Sequence, residues 1–112
     1  MLHTIENDCL KVMVSDHGAE LTSVYDKVRD FERIWCADPA VWNRHAPVLF
    51  PFVGKVKGGA YRYNGKTYAM NTQHGFARDA EFTCIEETTD SITHRLVYSD
   101  ETLGIYPFEF EL

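Results

Sequence analysis

A chain of 112 residues has room for one domain with a modest core, and hardly for two. Its composition, 45% hydrophobic, 25% charged and 13% aromatic, is that of a globular protein and excludes a disordered one. A formal net charge of −6 and a pI near 5.2 argue against nucleic-acid and anionic-membrane partners, whose affinity comes from basic patches, and leave a small neutral or weakly polar ligand as the better fit.

The opening MLHTIENDCLKV has neither a basic stretch nor an apolar stretch of signal-peptide type, and no run approaches the length of a membrane span. The expectation is a cytoplasmic protein. Cys9, Cys36 and Cys84 are odd in number, widely spaced and outside any CxxC pattern, so three buried, reduced thiols are expected.

LHTIE and CLKVMVS alternate apolar and polar residues around the turn formers Asn7 and Asp8, which predicts a β-hairpin. His17 and Gly18 mark a turn, Ala19 to Tyr25 a strand, and FERIW a short or bulged one. Asp38-Pro39 has the form of a helix cap followed by a first-turn proline, but Pro47 limits the helix to one or two turns. Val48 to Val53 is apolar yet interrupted by Pro51, so an edge or irregular extended segment is expected. Ala60 to Met70 is a hairpin, because Asn64-Gly65 supplies the positive φ angles of a type I′ turn. Asn71 to Asp79 is a loop, and AEFTCIEE, SITHRLVYS and FEFEL predict three further strands, with a turn from Asp100 to Gly104. Many short strands with little helix indicate an all-β, antiparallel sandwich. FEFEL stops at Leu112 in mid-pattern, so the chain is expected to be part of a larger sandwich with an exposed edge.

The chemistry concentrates between Arg44 and Asp79. Gly75 lets the backbone beside His74 approach a ligand, and an imidazole exchanges protons near neutrality; a loop histidine with a structural hydrogen bond has the same signature. Lys55, among glycines, can bind a hydroxyl or a phosphate, or simply be a solvated lysine. Arg78 and Asp79 pair with each other or with a neighbouring strand, unless Arg78 faces the pocket. Phe76, Phe52, Trp42 and Tyr61 are candidates for an aromatic wall against the apolar face of a ligand, although packing is the commoner fate of such rings. His45 reads as structural, while His3, His17 and His94 stand alone in strands or turns. No HxH, HxxxH or HExxH spacing points to a metal, and nothing fixes a Ser-His-Asp or Cys-His arrangement.

FPFVGK, the NGKTYAM hairpin and HGFARD, with GAELTSVYDK and RHAP before them and YPFEFEL after, resemble in order the N-terminal portion of the aldose 1-epimerase (galactose mutarotase) family, in its LacX-like branch. That resemblance implies an antiparallel β-sandwich of galactose mutarotase-like type, of which residues 1–112 form the N-terminal part of a single domain. It also implies interconversion of the α and β anomers of a hexose without a cofactor. His74 is implied as a catalytic-site and substrate-binding residue, with Lys55, Phe76 and Arg78 as further binding residues. The family usually has arginine where Lys55 stands, and lysine lacks the planar fork that grips two oxygens. Ring opening needs an acid for the ring oxygen and a base for the anomeric hydroxyl. In the family these are a further histidine and a glutamate in later regions; His94 has the wrong context, and Glu109 and Glu111 belong to the FEFEL strand. The chain alone is therefore expected to be catalytically incomplete, with self-association or pairing with a C-terminal part covering its open face. The alternatives are a non-catalytic carbohydrate-binding or interaction module, or an inactive fragment.

Overall fold

A computed structural model describes residues 1–112. Strands β1 (Leu2–Glu6), β2 (Leu10–Ser15), β3 (Leu21–Asp26) and β4 (Phe31–Glu32) form an antiparallel sheet in chain order. The first turn is held by the Asn7 side chain, whose Oδ1 accepts from the N–H groups of Cys9 and Leu10, both at 2.9 Å. A bulge between Met13 and Val14 shifts the β2–β3 register.

The β3–β4 turn is organised by Asp26, a nearly buried carboxylate. Its Oδ1 accepts from the N–H groups of Val28 (3.0 Å) and Arg29 (2.8 Å), and its Oδ2 from Arg33 Nη2 (2.5 Å). The Arg33 guanidinium, then the Arg29 N–H, holds the Asp26 carboxyl down at about 2. A carboxyl depressed in the folded state contributes stability that is present above the unfolded value near 4 and disappears as pH falls through about 2. Wild type is therefore expected to exceed Asp26→Asn in urea midpoint at pH 7, with the gap shrinking steadily between pH 5 and pH 2.5. A gap that does not change with pH would contradict this assignment.

The hairpin β5 (Ala60–Tyr63) and β6 (Lys66–Ala69) turns at Asn64 and Gly65, whose φ angles of 49° and 77° are those the Asn-Gly pair is suited to supply. A second hairpin, β7 (Thr83–Glu87) and β8 (Ile92–Arg95), docks beside the four-stranded sheet. It is tied there by Gly18 N–H to Ala80 C=O (2.7 Å), Phe82 N–H to Asp16 C=O (2.8 Å) and Glu6 N–H to Thr89 C=O (2.8 Å). No helix is long and apolar enough to cross a membrane.

Three expectations need correction. Asp100 to Gly104 is not a turn but lies in the short helix α1 (Asp100–Ile105), capped by Ser99, whose Oγ accepts from Thr102 N–H while Thr102 Oγ1 accepts from Ser99 N–H. FEFEL forms no strand. Only its end pairs, with three backbone hydrogen bonds joining Phe110 and Leu112 to Leu96 and Tyr98, because Phe110 turns into a ring cluster with Phe50 and Tyr106. The thiols are not buried: Cys9 and Cys36 lie exposed on loops, and Cys84 is half-covered. The Asp38 cap is present, with Oδ1 accepting from Ala40 N–H at 2.9 Å, but it closes a single turn.

The strands stack into a slab of 55 × 33 × 17 Å with a radius of gyration of 16.6 Å, against about 13 Å for a compact chain of this length. Only 8 of 112 residues are buried, among them Tyr68, Met70, Ala77 and Phe82. Phe31, Val53, Tyr63 and Ile85 stay exposed. So few buried residues leave much apolar surface uncovered.

Candidate functional site

Two loops meet beside the β5–β6 hairpin. The first runs through Phe50 to Lys55 and the second from Thr72 to Asp79; they are joined at Phe50 and Gly75, which form a parallel bridge. Phe50 C=O accepts from the N–H groups of Phe76 (3.0 Å) and Ala77 (3.1 Å). This approach requires glycine at position 75: its φ is +74°, and a Cβ there would lie 2.1 Å from the Phe50 oxygen. Thr72 Oγ1 donates to Gly75 C=O at 2.8 Å and closes the second loop on itself.

His74 is fastened twice to Gly54. Its backbone N–H donates to Gly54 C=O at 2.8 Å, and Gly54 N–H donates to the ring Nδ1 at 2.8 Å. Because Nδ1 accepts, the ring proton of the neutral imidazole sits on Nε2, which meets no partner in the chain and stands as a directed donor. The residue adopts φ 65°, a left-handed conformation uncommon outside glycine, held by the bonds on either side. The next residue after Gly54 is Lys55, exposed and unpaired. These bonds place the His74 loop against the residue that precedes Lys55. The clefts in the surface are lined by other residues, neither His74 nor Lys55 among them.

Phe76 and Arg78 are placed differently. The Phe76 ring packs against Phe50 (centroids 6.0 Å apart) and Phe110 (5.9 Å), which makes it part of the support under the loop. Arg78 is largely covered, with its Nε 3.7 Å from Asp79 Oδ2, and that Nε is buried without a hydrogen bond. Asp79 in turn takes a 2.6 Å bond from Arg44 Nη2. Among the other candidate rings, Tyr61 is packed between Phe52 (5.2 Å) and Tyr68 (5.4 Å), with its hydroxyl donating to Ile105 C=O at 2.5 Å, while Trp42 is exposed. Burial among these rings pushes the Tyr61 phenol up.

His45 is held structurally, as the resemblance of RHAP implies: Nδ1 donates to Trp35 C=O at 2.8 Å. The residue that sequence reasoning missed is Glu20. The Glu20 side chain is nearly buried, and its Oε1 accepts from the N–H groups of His45 (2.7 Å) and Ala46 (3.0 Å), fixing the irregular segment that leads into Phe50. Nothing local in GAEL announces that role, because its partners lie 25 and 26 residues away.

The family model described as Aldose 1-epimerase matches residues 1–112. Chromosomal protein LacX of Lactococcus lactis subsp. lactis is 36% identical over 96% of this chain, which spans 37% of that relative's length. A galactose mutarotase related enzyme from Lactobacillus acidophilus is 52% identical, with a TM-score of 0.95 over 99% of this chain and 37% of its own. A galactose mutarotase-like protein from Lactobacillus casei is 41% identical, with a TM-score of 0.94 over the same shares. The antiparallel all-β architecture is therefore that of the galactose mutarotase-like structures, and the chain belongs to the aldose 1-epimerase family.

Proposed function

We propose that these 112 residues supply the sugar-binding part of a site that interconverts the α and β anomers of a hexose. His74 Nε2–H donates to the ring oxygen or a neighbouring hydroxyl, and Lys55 Nζ binds a second oxygen. The observation that carries the reading is the reciprocal pair of bonds between His74 and Gly54, which sets the imidazole tautomer and ties its loop to the residue before Lys55. Phe76 and Arg78 act through the loop they share with His74, Phe76 by filling the space beneath it. The reaction also needs a proton donor and a proton acceptor at the reacting oxygens, and no carboxylate of this chain bonds His74. In this reading they come from outside residues 1–112, in a part of the same cytoplasmic sandwich domain that covers the slab's open side.

The test is anomer exchange followed by polarimetry or NMR on glucose and galactose. The chain alone is expected to bind sugar without accelerating exchange, and His74→Ala to weaken that binding about tenfold, the worth of one well-aligned hydrogen bond. Acceleration by the chain alone that vanishes in His74→Ala would show the catalytic groups to be present after all. Absence of both binding and acceleration would overturn the reading.

A further inference from the structure

The β7–β8 hairpin brings a second set of groups together. Cys84 and His94 are cross-strand partners, so their side chains share a face. His3, from β1, meets them there. One ligand atom from each of His3, Cys84 and His94 lies within 4.8 Å of the others. Asp16 stands at the same point: its Oδ1 is 2.8 Å from His3 Nε2 and 3.0 Å from His94 Nε2, so both imidazoles aim the same nitrogen at one spot. Both rings are more than nine-tenths covered, with side-chain exposures of 9% and 6%.

We infer that His3, Cys84, His94 and Asp16 form a binding site for a borderline-soft divalent cation of the zinc type. Two imidazoles, a thiolate and a carboxylate are a donor set suited to such an ion, and the two anionic donors balance its charge. The far nitrogen of His3 supports the assignment independently. Nδ1 lies 2.8 Å from Glu87 Oε2, the outer carboxylate that characteristically orients a metal-binding imidazole. In a tetrahedral complex ligand atoms lie roughly 3.3–3.8 Å apart, so the separations nearest the 4.8 Å bound must shorten on binding, while Asp16 Oδ1 must draw back from the two Nε2 atoms that it now meets at 2.8 and 3.0 Å. The bulge between Cys84 and Glu86 gives the hairpin that latitude. The four donors come from positions far apart in sequence, which is why no local HxH or CxxC spacing marks them. A bound ion would clasp β1 and the β2–β3 turn to the β7–β8 hairpin.

The experiment is titration of the reduced, chelator-treated chain with Co²⁺, followed by displacement with Zn²⁺. One equivalent is expected to give a thiolate-to-cobalt charge-transfer band in the near ultraviolet, together with the visible bands of a tetrahedral ion, and zinc should remove both. Cys84→Ser, nearly isosteric, should lose the charge-transfer band with an unchanged circular dichroism spectrum. The Cys9→Ser/Cys36→Ser double variant should keep it. Glu87→Gln should weaken binding about 10- to 100-fold. No near-ultraviolet band in the wild type, a band that survives Cys84→Ser, or one that depends on Cys9 or Cys36 would overturn the site.

Discussion

Gly75→Ala is expected to lower stability by about 3 kcal/mol or more and to abolish sugar binding, because two independent penalties fall on one methyl group. A left-handed φ of +74° is itself costly for alanine. The new Cβ would also lie 2.1 Å from the Phe50 oxygen, 2.5 Å from its carbonyl carbon and 2.6 Å from Pro51 Cδ. Main chain and a proline ring cannot swing aside as a flexible side chain would, so the two loops must separate. Separation breaks the bonds from Phe76 and Ala77 to Phe50 and carries His74 away from Gly54. Gly104→Ala is the control: a Cβ there meets nothing within 4 Å, and the residue lies inside α1, so a neutral or slightly stabilising effect is expected. Urea denaturation of the two variants checks both statements, and a Gly75→Ala chain as stable as wild type would refute the close approach.

Glu20→Ala should cost about 3 kcal/mol, since two hydrogen bonds to a charged acceptor disappear at roughly 1.5 kcal/mol each. It also leaves the N–H groups of His45 and Ala46 without their carboxylate. The loss propagates toward the site: Arg44, beside them, donates to Asp79 at the end of the His74 loop, and Phe50 follows a few residues later. Glu20→Gln keeps an acceptor oxygen at the same distance and should cost only about 1 kcal/mol. Equal midpoints for the two variants in urea would show that the carboxylate is not what fixes this segment.

Local chemistry explains which parts of the fold were legible in the sequence. Asn64-Gly65 and Asn7-Asp8 each specify a turn within a few residues, so the two hairpins they close lie where the alternation puts them. Asp38 caps one turn for the same reason. The end of the chain was misread because its outcome depends on distant partners. Alternation in FEFEL signals a strand, yet Phe108 packs on Tyr63 and Phe110 on Phe50, and these ring contacts outweigh further ladder pairing. The capping pair Ser99 and Thr102, with Asp100 and Glu101 in the first turn, carries the helix signal that Gly104 obscured.

The site was legible to a similar depth. HGFARD and FPFVGK identify two loops, and the structure joins them at Gly75 and Phe50, but no spacing reveals that Gly54 N–H reaches the His74 ring. The same holds for His3 and His94, solitary in sequence and 5.3 Å apart between ring centroids in the fold.

The tautomer of His74 tests the central claim most directly. Two-dimensional ¹H–¹⁵N NMR of the imidazoles, assigned by His74→Gln, is expected to show a proton on Nε2, an unprotonated hydrogen-bonded Nδ1, and a shift of the Nε2 resonance as galactose is added. A proton on Nδ1, or an Nε2 resonance unmoved at high sugar concentration, would contradict the account.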